Sequence, residues 1–134
     1  MTSVSVSIDV PNLEQGVRFY TRAFGFSKSS QPAPGVVVLH AGNINICLLE
    51  KSPGSKPSPN SSDARHYERH WTPVHLDIHV DDLKAALAVA LEAGAIQERV
   101  FHNAQHGSVA FCSDSFGHGF CLIERRPVAP RSSA

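Results

Sequence analysis

One feature restricts this chain more than any other: it contains the same pattern twice. Ser5-Val-Ser-Ile-Asp-Val-Pro-Asn-Leu13 lines up with His75-Leu-Asp-Ile-His-Val-Asp-Asp-Leu83, and Ile46-Cys-Leu-Leu-Glu-Lys51 lines up with Phe120-Cys-Leu-Ile-Glu-Arg125. Between these matched ends each half reads as a strand, a helix and three further strands. A repeat near this length can mark a stacked repeat architecture. Two copies, each with one helix and one small sheet, point instead to a pseudo-two-fold pair.

The local signals agree with that division. Residues 4–10 alternate strictly, which predicts a strand with one apolar and one polar face. Asn12 caps a helix, with Gln15 placed to reach back, and Leu13, Val17, Tyr20 and Phe24 follow at helical spacing before Gly25. Residues 26–30 suggest a short strand, and 36–40 and 43–50 two strands joined at Ala41-Gly42. The Ser, Pro, Gly and Asn of 52–64 read as a mobile linker or surface loop, and 65–71 as a short helical turn. The pattern then restarts. Residues 74–80 form a strand, and Asp81-Asp82 cap a helix bearing Leu83, Ala86, Leu87, Ala90 and Leu91 that ends at Gly94. Strands follow over 96–102, 108–113 and 119–125. The expected division is a first module over 1–51, a linker or lid over 52–73, a second module over 74–126 and a frayed tail over 127–134.

Period two also sorts residues by face. Val4, Val6, Ile8 and Val10 point to the first helix, and Ser5, Ser7 and Asp9 point away. In the equivalent strand Leu76, Ile78 and Val80 go under the helix, while His75, Asp77 and His79 share the opposite face. A solvated surface accounts for these polar faces, and so does a binding surface if the two sheets curl toward each other into a cup.

Composition removes several classes of function. Twelve Lys and Arg balance twelve Asp and Glu. No positive excess therefore drives binding to nucleic acid or an acidic membrane. No apolar run approaches a membrane span, and the start of the chain lacks the basic and apolar regions of a signal peptide. Three cysteines, an odd number, in a chain without an export signal suggest free thiols and a cytoplasmic protein. At 134 residues the chain is large enough to bury a core without disulfides.

The paired units resemble the vicinal oxygen chelate superfamily, which includes glyoxalase I, bleomycin-resistance proteins, fosfomycin-resistance enzymes and extradiol dioxygenases. The residues that carry the resemblance are Asp9-Val-Pro-Asn-Leu13, Phe19-Tyr20, Phe24-Gly25-Phe26, the segment from His75 to Leu83, and Asp114-Ser-Phe-Gly117 leading into Phe120-Cys-Leu-Ile-Glu124. It covers about 4–124. The implied fold is α+β, with two βαβββ modules related by an internal pseudo-two-fold and mixed sheets curled into a cup. A homodimer is also implied. The reaction is not, because this fold hosts isomerases, dioxygenases, transferases and binding proteins.

In metal-using members four cup positions hold the metal, and they fall here on Ser5, Cys47, His75 and Cys121. Only His75 keeps a usual ligand type. Glu50 and Glu124 lie three residues beyond the cysteines, an odd step that turns them to the other face, where they read as strand-end surface residues beside Lys51 and Arg125.

Three readings of the site follow. The resemblance and the loss of ligand types favour a glyoxalase/bleomycin-resistance-like protein that binds a small organic molecule in the cup without a cofactor. Ser5, Ser7, Asp9, His75, Asp77 and His79 would anchor the ligand, with Trp71, Phe101 and Phe111 as aromatic candidates, although ordinary core packing also accounts for the two Phe. A metal site of Cys47, His75 and Cys121 would make the protein a glyoxalase I-like lyase or isomerase, or an extradiol-type dioxygenase, with zinc, iron or nickel. Metal-free acid–base chemistry would use His79 with Asp77. Residues two apart on a strand face are roughly 6.5–7 Å apart, too far for a direct Asp–His bond in most rotamers. His66, Arg69 and His70 either close over the cup or face solvent. His102, His106 and His118 are expected at exposed turns, and Cys112 in the core.

Overall fold

The computed structural model describes residues 1–103, 105 and 107–125. The expected tail at 127–134 and His106 lie outside them. The elements are β1 (Ser5–Val10), α1 (Leu13–Phe24), β2 (Ser27–Ala33), β3 (Val36–Ala41), β4 (Ile44–Glu50), β5 (Leu76–Val80), α2 (Leu83–Ala93), β6 (Ile96–Phe101), β7 (Val109–Ser113) and β8 (Gly119–Glu124). They form two four-stranded sheets, ordered β1-β4-β3-β2 (sheet A) and β5-β8-β7-β6 (sheet B). In each sheet the first and last strands of the module run parallel and the other neighbours antiparallel. The α+β fold of two βαβββ modules is therefore present, with the modules related as the sequence repeat requires.

Helix starts and stops follow the local chemistry. The Asn12 side chain accepts from the Gln15 amide and that of Asp82 from the Ala85 amide. Gly25 and Gly94 end the helices in the left-handed region, where a residue without Cβ meets no penalty. Glu50 is exposed and Glu124 half-buried at their strand ends, and both have a role beyond that of surface residues. They do point away from the concave face, but Glu50 Oε2 accepts from the Leu13 amide at 2.8 Å and Glu124 Oε2 from the Leu83 amide at 2.9 Å. Each module thus closes the start of its helix with a carboxylate from its own last strand, at the end where the helix dipole favours negative charge.

Each helix lies on one face of its sheet. Val10, Leu39, Ile46 and Leu48 are buried on sheet A, and Ala110, Cys112 and Leu122 on sheet B. The helices pack against each other, and an aromatic cluster joins the modules: Phe19 stacks edge-on with Phe116 and Phe24 with Phe120. Tyr20 donates its hydroxyl to the buried Asp114 in the turn before β8. That turn is held from inside, since Asp114 Oδ1 also accepts from the Phe116 and His118 amides.

The segment between the modules contains no helix, so the turn expected over 65–71 does not form. Side chains tie this segment down. Arg65 Nε contacts Asp9 Oδ2 at 2.7 Å and the Tyr67 hydroxyl donates to the Lys51 carbonyl. Gly117 makes the fit possible: its φ is +85°, and a Cβ there would sit 2.7 Å from the carbonyl oxygens of Tyr67 and Glu68.

Candidate functional site

The concave face of sheet B is set by what α2 covers. Ala110, Cys112, Phe120 and Leu122 are buried, so alternation sends Val109, Phe111, Cys121 and Ile123 to the other side. Register then aligns two rows across the strands. Asp77, Cys121, Phe111 and Arg99 are successive partners on β5, β8, β7 and β6. His79, Ile123, Val109 and Phe101 form the next row.

At one edge of this face three donors meet. One donor atom each from His75, Asp77 and Cys121 lie within 4.8 Å of one another. His75 Nε2 is 3.2 Å from Asp77 Oδ1, with both side chains about half exposed. The two-residue step is the same as that between Asp77 and His79, which is too long for a direct bond in most rotamers, yet His75 and Asp77 meet. The backbone spacing stands, but the two side chains lean along the strand and close the gap. The Cys121 thiol is pushed up to about 11, by burial first and then by the charge and hydrogen bond of Asp77. At neutral pH it is a protonated thiol that donates to Asp77. His79 stands one row along, exposed.

The middle of the face is apolar. Phe101 and Phe111 meet edge-on with centroids 5.5 Å apart, and they are 40% and 39% exposed. The alternative of ordinary core packing is therefore overturned for both rings: they lie on the face that α2 does not cover. Trp71 is 80% exposed in the segment between modules.

Sheet A presents a different face. Ser7, Cys47, Val38 and Ser30 are register partners, as are Ser5, Asn45, His40 and Ser27. Cys47 thus stands beside Ser7, while the donor group on sheet B is completed by Asp77. Asp9 is engaged on two sides, by Arg65 through its carboxylate and by His118 Nε2, which donates to its carbonyl at 2.7 Å. The expectation that His118 faces solvent is corrected: the ring is half-buried and bridges the modules. His66 and His70 stack at 4.3 Å, and Arg69 holds Glu98 at 2.7 Å.

Strands β1 and β5 belong to separate sheets and share no ladder among the described residues. The seam between the modules holds two cavities. One of about 680 Å³ is walled by Phe24, Ile46, Ile78 and Val89 and reaches Asp77 and His79. One of about 320 Å³ touches Ser7, Asp9, Tyr20 and His75.

A glyoxalase-like domain matches residues 5–123. The chain belongs to this glyoxalase-like family. Among solved structures, this member resembles the fosfomycin resistance protein FosX from Listeria monocytogenes, at 14% identity and a TM-score of 0.71 over 93% of this chain and 91% of that one. A glyoxalase-related enzyme from Fulvimarina pelagi aligns at 15% identity and 0.70, covering 97% and 94%. A glyoxalase/bleomycin resistance protein/dioxygenase family enzyme from Burkholderia phytofirmans aligns at 19% and 0.67, covering 90% and 95%. At these identities the likeness extends to the fold. One FosX mutant structure holds Mn(II) and 1S,2S-dihydroxypropylphosphonic acid. No curated protein matches the chain.

The residue that sequence reading missed in this glyoxalase-like chain is Arg99. Strict alternation along β6 puts Gln97 and Arg99 on one face. A bulge between them breaks the alternation: Gln97 pairs with Cys112 but Arg99 with Phe111. No signal in Gln97-Glu98-Arg99 announces it.

Proposed function

We propose that this glyoxalase-like protein binds a small organic molecule on the concave face of sheet B, with the Phe101–Phe111 floor beneath it and His75, Asp77 and His79 at its polar edge. The observation that carries the reading is the pairing of exposed aromatic rings with polar groups in adjacent rows of one face. An apolar body with a few directed polar groups is the usual composition of a ligand site. Chemically, the His75–Asp77 pair, already in contact, can hold a ligand hydroxyl by hydrogen bonds.

A metal-dependent reading is favoured by one observation, the convergence of imidazole, carboxylate and thiol at His75, Asp77 and Cys121. This donor set fits a divalent ion of the zinc type with an open coordination position. Binding would require the Cys121 proton to leave. The bound ion would supply Lewis-acid activation of a ligand oxygen. The same residues otherwise satisfy one another, Cys121 donating to Asp77 and Asp77 meeting His75, which supports the metal-free reading.

The deciding experiment is elemental mass spectrometry on untagged, reduced protein never exposed to chelator, together with thermal shift against a panel of small aromatic and aliphatic compounds. Ligand-dependent stabilisation without stoichiometric metal supports the first reading. One metal per chain, lost in His75→Ala, replaces it with the second, and the chemistry to screen becomes that of a lyase, isomerase or dioxygenase. A homodimer belongs to the same proposal, since the open edges of the two sheets offer strands for association. Light scattering on the purified protein tests it, and a monomer at all concentrations removes it.

A further inference from the structure

We propose that Arg99 is the anion-binding end of this site, and that the ligand is a flat, apolar-bodied small molecule carrying one carboxylate or comparable anionic group. The inference rests on the reading of sheet B as the ligand face and adds the ligand's shape, charge and direction.

Three observations place Arg99 in the site. The bulge after Gln97 turns it to the concave side, in one row with Phe111, Cys121 and Asp77. Its guanidinium lies 4.1 Å from the centroid of the Phe101 ring, so a side chain with large rotamer freedom is held over the aromatic floor. It also has charge to offer. Arg18, Arg65, Arg69 and Arg125 each hold a carboxylate, whereas Arg99 makes no ion pair among the described residues. Arg22 makes none either, but it ends α1, where the helix dipole favours a cation. The nearest candidate carboxylate along the chain, Glu98 in the bulge, is turned to Arg69.

The spacing sets the ligand's size and direction. Arg99 and Asp77 are three strands apart, about 14 Å between backbones, with Phe111 and Cys121 between them. A ring system would lie against Phe111 and Val109, beside the Phe101 ring that the Arg99 guanidinium covers. Its anionic group meets the planar fork of Arg99. The opposite orientation sets the anion against Asp77. A hydroxyl or amine at the far end would meet the His75–Asp77 pair.

The test uses 2-naphthoate and its neutral counterpart 2-naphthamide, titrated into the full chain and followed by amide chemical shifts. Naphthoate is expected to shift the amides of Phe101, Val109, Phe111 and Cys121 and to bind at least about tenfold more tightly than naphthamide. Arg99→Gln removes that preference and Arg99→Lys keeps part of it. Arg18→Gln, on the exposed side of α1, leaves it unchanged. If Arg99→Gln fails to fold, the wild-type ratio and Arg99→Lys decide. Equal binding of both probes on sheet B overturns the anion subsite and leaves the ligand face standing. Shifts elsewhere, or none with either probe, overturn both.

Discussion

Tyr20 on α1 and Asp114 in the β7–β8 turn share a buried hydrogen bond across 94 positions of sequence, joining the two modules through one hydroxyl and one carboxylate. The Tyr20 hydroxyl is pushed up, by burial first and by the charge of Asp114 second. The folded chain therefore holds this proton to higher pH than the unfolded chain. The contribution is complete below the unfolded value, about 10, and is lost as pH rises above it. Tyr20→Phe should cost about 1–3 kcal/mol at neutral pH, because a buried carboxylate oxygen loses its donor. It should also flatten the alkaline fall in stability. Urea unfolding at pH 7 and above pH 10 measures both effects, and an unchanged alkaline limb removes the assignment to Tyr20.

The three thiols should separate by reactivity. Cys112 and Cys121 are buried and both pushed up to about 11, burial being the leading cause for each. Cys47 is half-buried. Iodoacetamide at pH 8 should label Cys47 first, as read by peptide mass spectrometry. Asp77→Asn takes away the charge that helps to raise Cys121 and should speed labelling there severalfold, with Cys112 unchanged.

Glu50→Gln and Glu124→Gln should each lower stability by about 0.5–1 kcal/mol, through a weaker acceptor at a helix start. The sites lie in different modules and share no partner, so the double variant should show the sum. A cycle of urea midpoints tests this, and a strong coupling between the two would contradict the separate caps.

Gly117→Ala should destabilise by about 2 kcal/mol or more, combining a positive φ with contact against the Tyr67 and Glu68 carbonyls. Gly42, also at positive φ but with open space around it, is the control. Its alanine variant should lose less in the same thermal scan.

Much of this fold is readable from alternation and caps. The repeat announced both modules, and Asn12 and Asp82 announced both helices, because those signals act over three or four residues. The polar face of β5 was readable for the same reason. What escaped depends on contacts between distant segments. The contact between His75 and Asp77 needs two side-chain rotamers, not strand geometry alone. The burial of His118 depends on where Asp9 lies, 109 positions away. Arg99 depends on one extra residue in β6, a shift that reverses every facing after it.

The last strand of each module divides its obligations by position. In β8, Phe120 and Leu122 belong to the core and Glu124 completes the start of α2. Cys121 faces away from α2, beside Asp77. The equivalent stretch of β4 repeats the scheme, with Ile46 and Leu48 buried, Glu50 on α1 and Cys47 on the open face. The helix contacts of each strand are thus made by the neighbours of its cysteine. The helix-facing residues of β8 and β4 carry the architecture, and the donor on the opposite face can change at residue 121 or 47 within the room that its packed surroundings leave.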